Sequence, residues 1–116
     1  MDAPARRGLT PAEEAAAGSV FESLADPTRR SVLRAVADDG PLTATELAAR
    51  LPVSRQAVAK HLEVLRSAGL VASARDGRDV RFSFDARPLQ EATAWIAAVG
   101  ARWDRRLGAL QERLQP

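Results

Sequence analysis

Read for the spacing of its apolar positions, the chain divides into five helical stretches and one alternating segment. Thr10-Pro11-Ala12-Glu13 opens the first helix, with a hydroxyl to cap, a proline at the first helical position and an acid three residues beyond the cap. That helix is expected to run to about Ala25, with Gly18 weakening its middle. Asp26-Pro27 repeats the signal and predicts a second helix through about Ala37 that buries Val32, Leu33 and Val36. Asp38-Asp39-Gly40-Pro41 stops it. Thr43-Ala44-Thr45-Glu46 is a further capping box, leading a short helix with Leu47, Ala48 and Leu51 on its apolar side. Pro52 ends that helix, because the residue before a proline is biased away from helical backbone. Ser54 then caps a longer helix through Ser67, closed by Gly69.

The period changes after Gly69. Leu70 to Arg75 predicts a short strand, Asp76-Gly77 is a hairpin signal, and Val80, Phe82 and Phe84 alternate with Arg81, Ser83 and Asp85 so that the second strand buries one face. Pro88 begins the last helix, which is expected to run near the end of the chain. At about 100° per residue, Leu89, Ala92, Ile96, Val99, Trp103, Leu107, Leu110 and Leu114 fall in one stripe within about 80°. So long an apolar seam exceeds what a small core can cover, and a partner helix accounts for it. Two helices across a turn of about three residues make a helix-turn-helix. With a hairpin directly behind it, the expected fold is mainly α, a winged helix-turn-helix with a two-stranded wing. It occupies residues 10–116, preceded by a polar, aperiodic tail at 1–9 that is expected to be flexible.

Composition narrows the function. At 116 residues the chain is sized for one domain. It has neither an apolar run of the roughly 18 residues a membrane span needs nor a signal-peptide pattern, so a cytoplasmic address without membrane partners is expected. There is no cysteine, which excludes disulfides, thiolate metal sites and cysteine nucleophiles together. With one histidine and no phosphate-cradling glycine loop, neither an enzyme nor a cofactor site is expected. The formal net charge of +2 conceals its distribution. Residues 50–81 hold seven basic groups (Arg50, Arg55, Lys60, Arg66, Arg75, Arg78, Arg81) against Glu63, Asp76 and Asp79, so a polyanion would be met in the middle third of the chain.

Projected on a wheel, the Ser54–Ser67 helix gathers Ala57, Val58, His61, Leu62, Val64 and Leu65 on one face and Arg55, Gln56, Ala59, Lys60, Glu63, Arg66 and Ser67 on the other. The outward face near its start offers a guanidinium able to grip guanine and an amide able to pair with adenine. Ser54 and Lys60 can reach phosphate there, and Ala59 is small enough for close approach. Alone, such a face reads equally as solvated helix surface; the preceding turn and the following basic hairpin favour DNA. Thr43, at the start of the preceding helix, joins the expected DNA contacts. In the wing, Arg75, Arg78 and Arg81 are expected along phosphates or the minor groove, unless Asp76 and Asp79 neutralise them. Arg29 and Arg30 suit either DNA backbone or local acids. His61, on the apolar face, is expected in the core, and no metal site is expected from one imidazole without thiolates. Trp103 belongs to the long stripe rather than to a ligand box. A winged helix used only for protein–protein contact is the alternative function, separable by whether DNA is retained.

From Val20 to Leu114, about four-fifths of the chain, the sequence resembles ArsR-type winged-helix repressors. The matching segments are Phe21 to Arg30, Leu42 to Ala48, Ser54 to Leu65, Ala68-Gly69-Leu70-Val71 and the Arg75-to-Phe84 hairpin. The resemblance implies a homodimer built on the first and last helices, with Val20, Phe21, Leu89, Ile96, Val99, Trp103, Leu107 and Leu110 at its interface. It also implies an inverted-repeat double-stranded operator near the chain's own promoter, and release by a signal, an unidentified small-molecule inducer. Metal-sensing members carry cysteines in the helix before the recognition helix, where this chain has Thr43 and Thr45. Others place histidine and acidic ligands on the last helix, which here has no histidine. The resemblance therefore points to the metal-independent branch.

Overall fold

The computed structural model describes residues 9–114. Its elements are α1 (Pro11–Ser23), α2 (Pro27–Asp39), β1 (Leu42–Thr43), α3 (Ala44–Arg50), α4 (Arg55–Ser67), β2 (Val71–Asp76), β3 (Asp79–Phe84) and α5 (Arg87–Leu114). The expected flexible tail falls, but for Leu9, outside the described residues.

Local chemistry sets most of these boundaries. At α1 the Glu13 amide donates to Thr10 Oγ1 at 3.1 Å while the Thr10 amide donates to Glu13 Oε1 at 2.7 Å, closing the capping box. Two residues short of the expected Ala25, α1 stops, and its freed carbonyls are taken by two guanidinium groups. Arg29 Nη1 donates to the carbonyls of Glu22 (3.3 Å) and Ser23 (3.1 Å), and Arg30 Nη1 to that of Leu24 (2.6 Å). Among the described residues Arg29 and Arg30 thus satisfy a helix C-terminus, where cations are favoured, and neither is paired with an acid. Asp26 caps α2 by accepting from the Arg29 amide at 3.0 Å, and α2 runs two residues past Ala37 before the extended Gly40. The Thr43–Glu46 box opens α3 as expected. At the end of α4 the Leu70 amide donates to the Leu65 carbonyl and the Gly69 amide to that of Arg66, both at 2.9 Å. This is a Schellman cap, whose left-handed position Gly69 fills with φ of 78°.

The expected two-stranded wing is present as the β2–β3 hairpin, and a third strand joins it to make an antiparallel sheet of order β1-β3-β2. The added strand is the pair Leu42 and Thr43, facing Phe82 and Arg81. It ties the segment before α3 to the base of the hairpin. The hairpin itself turns through Gly77 and Arg78, between the paired Asp76 and Asp79. Only Gly77 has positive φ, at 65°, as a two-residue turn with glycine first requires.

One core, drawn from every helix and from β1 and β2, holds these elements. Val20, Val32, Leu33, Val36, Leu42, Leu47, Val58, Leu62, Leu65, Leu70, Val71 and Ala92 are all buried within the protomer. Val20 is therefore a correction: expected at the partner-facing surface, it is 2% exposed inside its own protomer, on the side of α1 that packs on the core. Leu89 is half-buried against the same core, so it too serves the protomer first. His61 is half-buried rather than enclosed, Val64 is exposed, and Val80 lies exposed beyond the reach of the core. The radius of gyration is 19.0 Å, against about 13 Å for a compact chain of this length. The excess comes from α5, whose 28 residues span about 42 Å and whose C-terminal half has no core beneath it.

Candidate nucleic-acid interface

Helix α4 is anchored from behind and open in front. Val58, Leu62 and Leu65 are buried against Leu47 of α3 and the rest of the core, which fixes the rotation of the helix about its axis. Ser54 accepts from the Ala57 amide at 3.1 Å and so caps the helix with the hydroxyl expected to meet phosphate. Arg55, Gln56, Ala59 and Lys60 are exposed within the first two turns, as the wheel requires. Arg55 is not a free side chain, however. Its Nε donates to Thr45 Oγ1 of α3 at 2.9 Å, across the turn of the helix-turn-helix. Thr43 is half-buried, and its hydroxyl accepts from the Glu46 amide at 3.0 Å, so the threonine expected to touch DNA is engaged in capping α3.

The wing divides its arginines into two kinds. Arg81 is enclosed by carboxylates: Nη1 to Glu46 Oε1 at 3.1 Å, Nε to Asp76 Oδ2 at 3.0 Å, and Nη2 to Asp79 Oδ2 at 3.8 Å. The Asp76 hydrogen bond, with the Glu46 charge behind it, raises the pKa of this guanidinium. Glu46 is held below the usual carboxylate range, first by the Thr43 amide and then by Arg81. Arg81 therefore joins α3 to the hairpin, and the expectation that it lies on phosphate is corrected. Its consumption of Asp76 and Asp79 has a consequence. Among the described residues no carboxylate pairs with Arg75, Arg78 or Lys60, and all three are exposed.

The α5 stripe is open in the protomer. Ile96 is 55% exposed, Val99 46%, Trp103 57%, Leu107 40% and Leu110 51%. Nearer its start, α5 packs on α1 through buried Ala92 and through Trp95, which meets Phe21 edge to face at a centroid distance of 5.4 Å. Phe21 keeps its outer side in solvent, at 37%. Among the described residues no helix is long and apolar enough to cross a membrane, and no three histidine or acidic side chains stand together as a metal site.

Residues 24–74, from the end of α1 into β2, match a family model described as a helix-turn-helix domain. The fold superposes on an ArsR-like transcriptional regulator from Rhodococcus sp. RHA1 with a TM-score of 0.81 and 40% identity, covering 88% of this chain and 95% of that one. The chain belongs to the ArsR family of winged helix-turn-helix transcriptional regulators. This ArsR-family member is also similar to the transcriptional repressor SdpR of Bacillus subtilis, at 30% identity over 67% of this chain and 86% of that protein. It is similar as well to the cadmium metal-sensor CMTR of Mycobacterium tuberculosis, at 38% identity, a TM-score of 0.53, and coverage of 63% of this chain and 75% of that one. It is a DNA-binding regulator of transcription.

Two contacts within this site escape a reading of the sequence. The Thr45–Arg55 bond and the Glu46–Arg81 bridge each join residues of different elements, ten and thirty-five positions apart. Nothing local marks either pair.

Proposed function

We propose that this regulator represses transcription as a homodimer, with two copies of α4 entering successive major grooves of an inverted repeat and each wing resting on the backbone beside them. The supporting observation is the uncompensated charge on the open side of the molecule. Arg81 occupies the wing's acids, leaving Lys60, Arg75 and Arg78 exposed for phosphate. Ser54, Arg55, Gln56 and Ala59 then face base edges or the flanking phosphates from the first turns of α4. The apolar stripe of α5 supports the dimer, since monomers rarely leave so continuous a patch in water. Half-sites would lie about 34–36 Å apart or at a multiple of that. The similarity to SdpR supports repression as the sense of control.

The reading also makes this chain metal-independent, although CMTR is a cadmium sensor. No residue of the 116 is a cysteine. The resemblance aligns Thr43 and Thr45 with metal-binding cysteines, and both hydroxyls are employed in ordinary hydrogen bonds.

The test is the salt dependence of DNA binding. Arg78→Ala removes two phosphate contacts per dimer, so the slope of log K against log salt becomes shallower by about 1.8, at about 0.9 per contact. Affinity falls alike for specific and random duplexes. An unchanged slope in Arg78→Ala, and in the Arg75→Ala/Arg78→Ala pair, would remove the wing from the interface.

A further inference from the structure

Arg55 is the first residue of α4, and its guanidinium is exposed at the leading end of the recognition helix. A guanidinium has two edges that can form a fork, one made by Nε with a terminal nitrogen and one by the two terminal nitrogens. Here the first edge is spent inside the protein, because Nε donates to Thr45 Oγ1 at 2.9 Å. Both terminal nitrogens of Arg55 lack an acceptor among the described residues. The bond also crosses from α3 to α4, so it fixes an otherwise flexible side chain against the more rigid helix pair.

We propose that Thr45 is a positioning residue for base recognition: it holds Arg55 with the two terminal nitrogens forward, the fork that matches O6 and N7 of a guanine. The inference rests on the reading that α4 faces the major groove, and it adds the base and the residue that selects it. Arginine bidentate to guanine is the commonest specific contact in the major groove. Ordering the side chain before DNA arrives removes part of the entropy lost on binding, and that gain is realised only where the pre-set fork finds its acceptors. Thr45 itself need not touch DNA. Its hydroxyl acts through the direction of Arg55, in the same way that a threonine caps a helix through the direction of a lone pair.

The experiment is selection of bound duplexes from a random pool by the full chain and by Thr45→Val, Thr45→Ser and Arg55→Ala, each checked for unchanged far-UV circular dichroism. Valine keeps the shape of threonine and removes the acceptor, while serine keeps the acceptor. The expected result is that Arg55→Ala erases a guanine preference at one position of each half-site. Thr45→Val lowers that preference about tenfold, and Thr45→Ser retains it, with the salt slope the same in all three threonine-site proteins. Four results would overturn the positioning role while leaving α4 as the reading helix. They are Thr45→Val behaving as wild type when Arg55→Ala does not, Thr45→Val weakening all sequences alike, Thr45→Ser failing as valine does, or the Arg55-dependent base not being guanine. Unchanged base preferences in Arg55→Ala would be a different failure, removing the α4 surface itself and this inference with it.

Discussion

Trp103 is the residue on which the proposed dimer can be tested most quantitatively. It stands midway along the apolar stripe of α5 and is 57% exposed in the protomer. A tryptophan presents about 250 Å², so roughly 140 Å² of it lies open to water. At about 25 cal/mol per Å² its complete cover would contribute about 3.5 kcal/mol per protomer, or about 7 kcal/mol for the symmetric pair. Alanine would retain part of the contact, and a helix partner would not cover the indole on all sides. Taking less than half of the total, about 2.7 kcal/mol, Trp103→Ala is expected to weaken dimerisation about 100-fold, at 1.4 kcal/mol per factor of ten. Sedimentation equilibrium across protomer concentration measures this directly. Far-UV circular dichroism should stay largely helical, since the core under α1 to α4 contains no part of Trp103. Two results would refute the reasoning: a wild-type chain that remains monomeric at tens of micromolar, or a Trp103→Ala dimer as tight as the wild type.

Two further outcomes follow from particular contacts. A Cβ at Gly40 would collide with the Val36 carbonyl and crowd that of Phe82, so Gly40→Ala is expected to destabilise the fold by about 1–3 kcal/mol in urea titration, with the DNA-facing side chains untouched. Asp85, bonded by the Arg87 side chain and then by its amide, has its pKa lowered to about 2 from an ordinary 3.8. A carboxyl with a depressed folded-state pKa gives stability that is whole above the unfolded value and is lost as pH falls through the folded one. Midpoints of urea unfolding should thus decline between about pH 4 and pH 2, and Asp85→Asn should flatten that part of the curve; an unchanged decline would deny the pair a role.

The features legible in the sequence are those whose cause is local. Thr10 with Glu13, Thr43 with Glu46, Ser54, Gly69 and Gly77 each act on backbone within a few residues, and each boundary they marked is found to within about two residues. The strand β1 was not legible, because two residues cannot display an alternation and its partners Arg81 and Phe82 lie far along the chain. A helical wheel assigned α4 its inward face correctly for Val58, Leu62 and Leu65. It could not say how far neighbouring elements cover that face, so Val64 at its margin is exposed and His61 only half-buried. Val20 shows the same limit from the other side, since α1 lies between core and surface and periodicity alone does not decide which claims a given residue. In the wing, counting charges gave three arginines against two acids. Geometry gives both acids to Arg81 and adds Glu46 from α3, which leaves Arg75 and Arg78 as the exposed pair.

The central claim is that two copies of this chain read one DNA site through α4. Selection from a random duplex pool by the wild-type chain, followed by the protein-to-DNA stoichiometry on the enriched sequence, tests it most directly. The account predicts an inverted repeat with half-sites about one helical turn, or a multiple of it, apart, bound by two protomers, with base preference relaxed within each half-site in Arg55→Ala and in Gln56→Ala. A single ungapped site bound by one protomer, or a pool that returns unenriched at low salt, would contradict it.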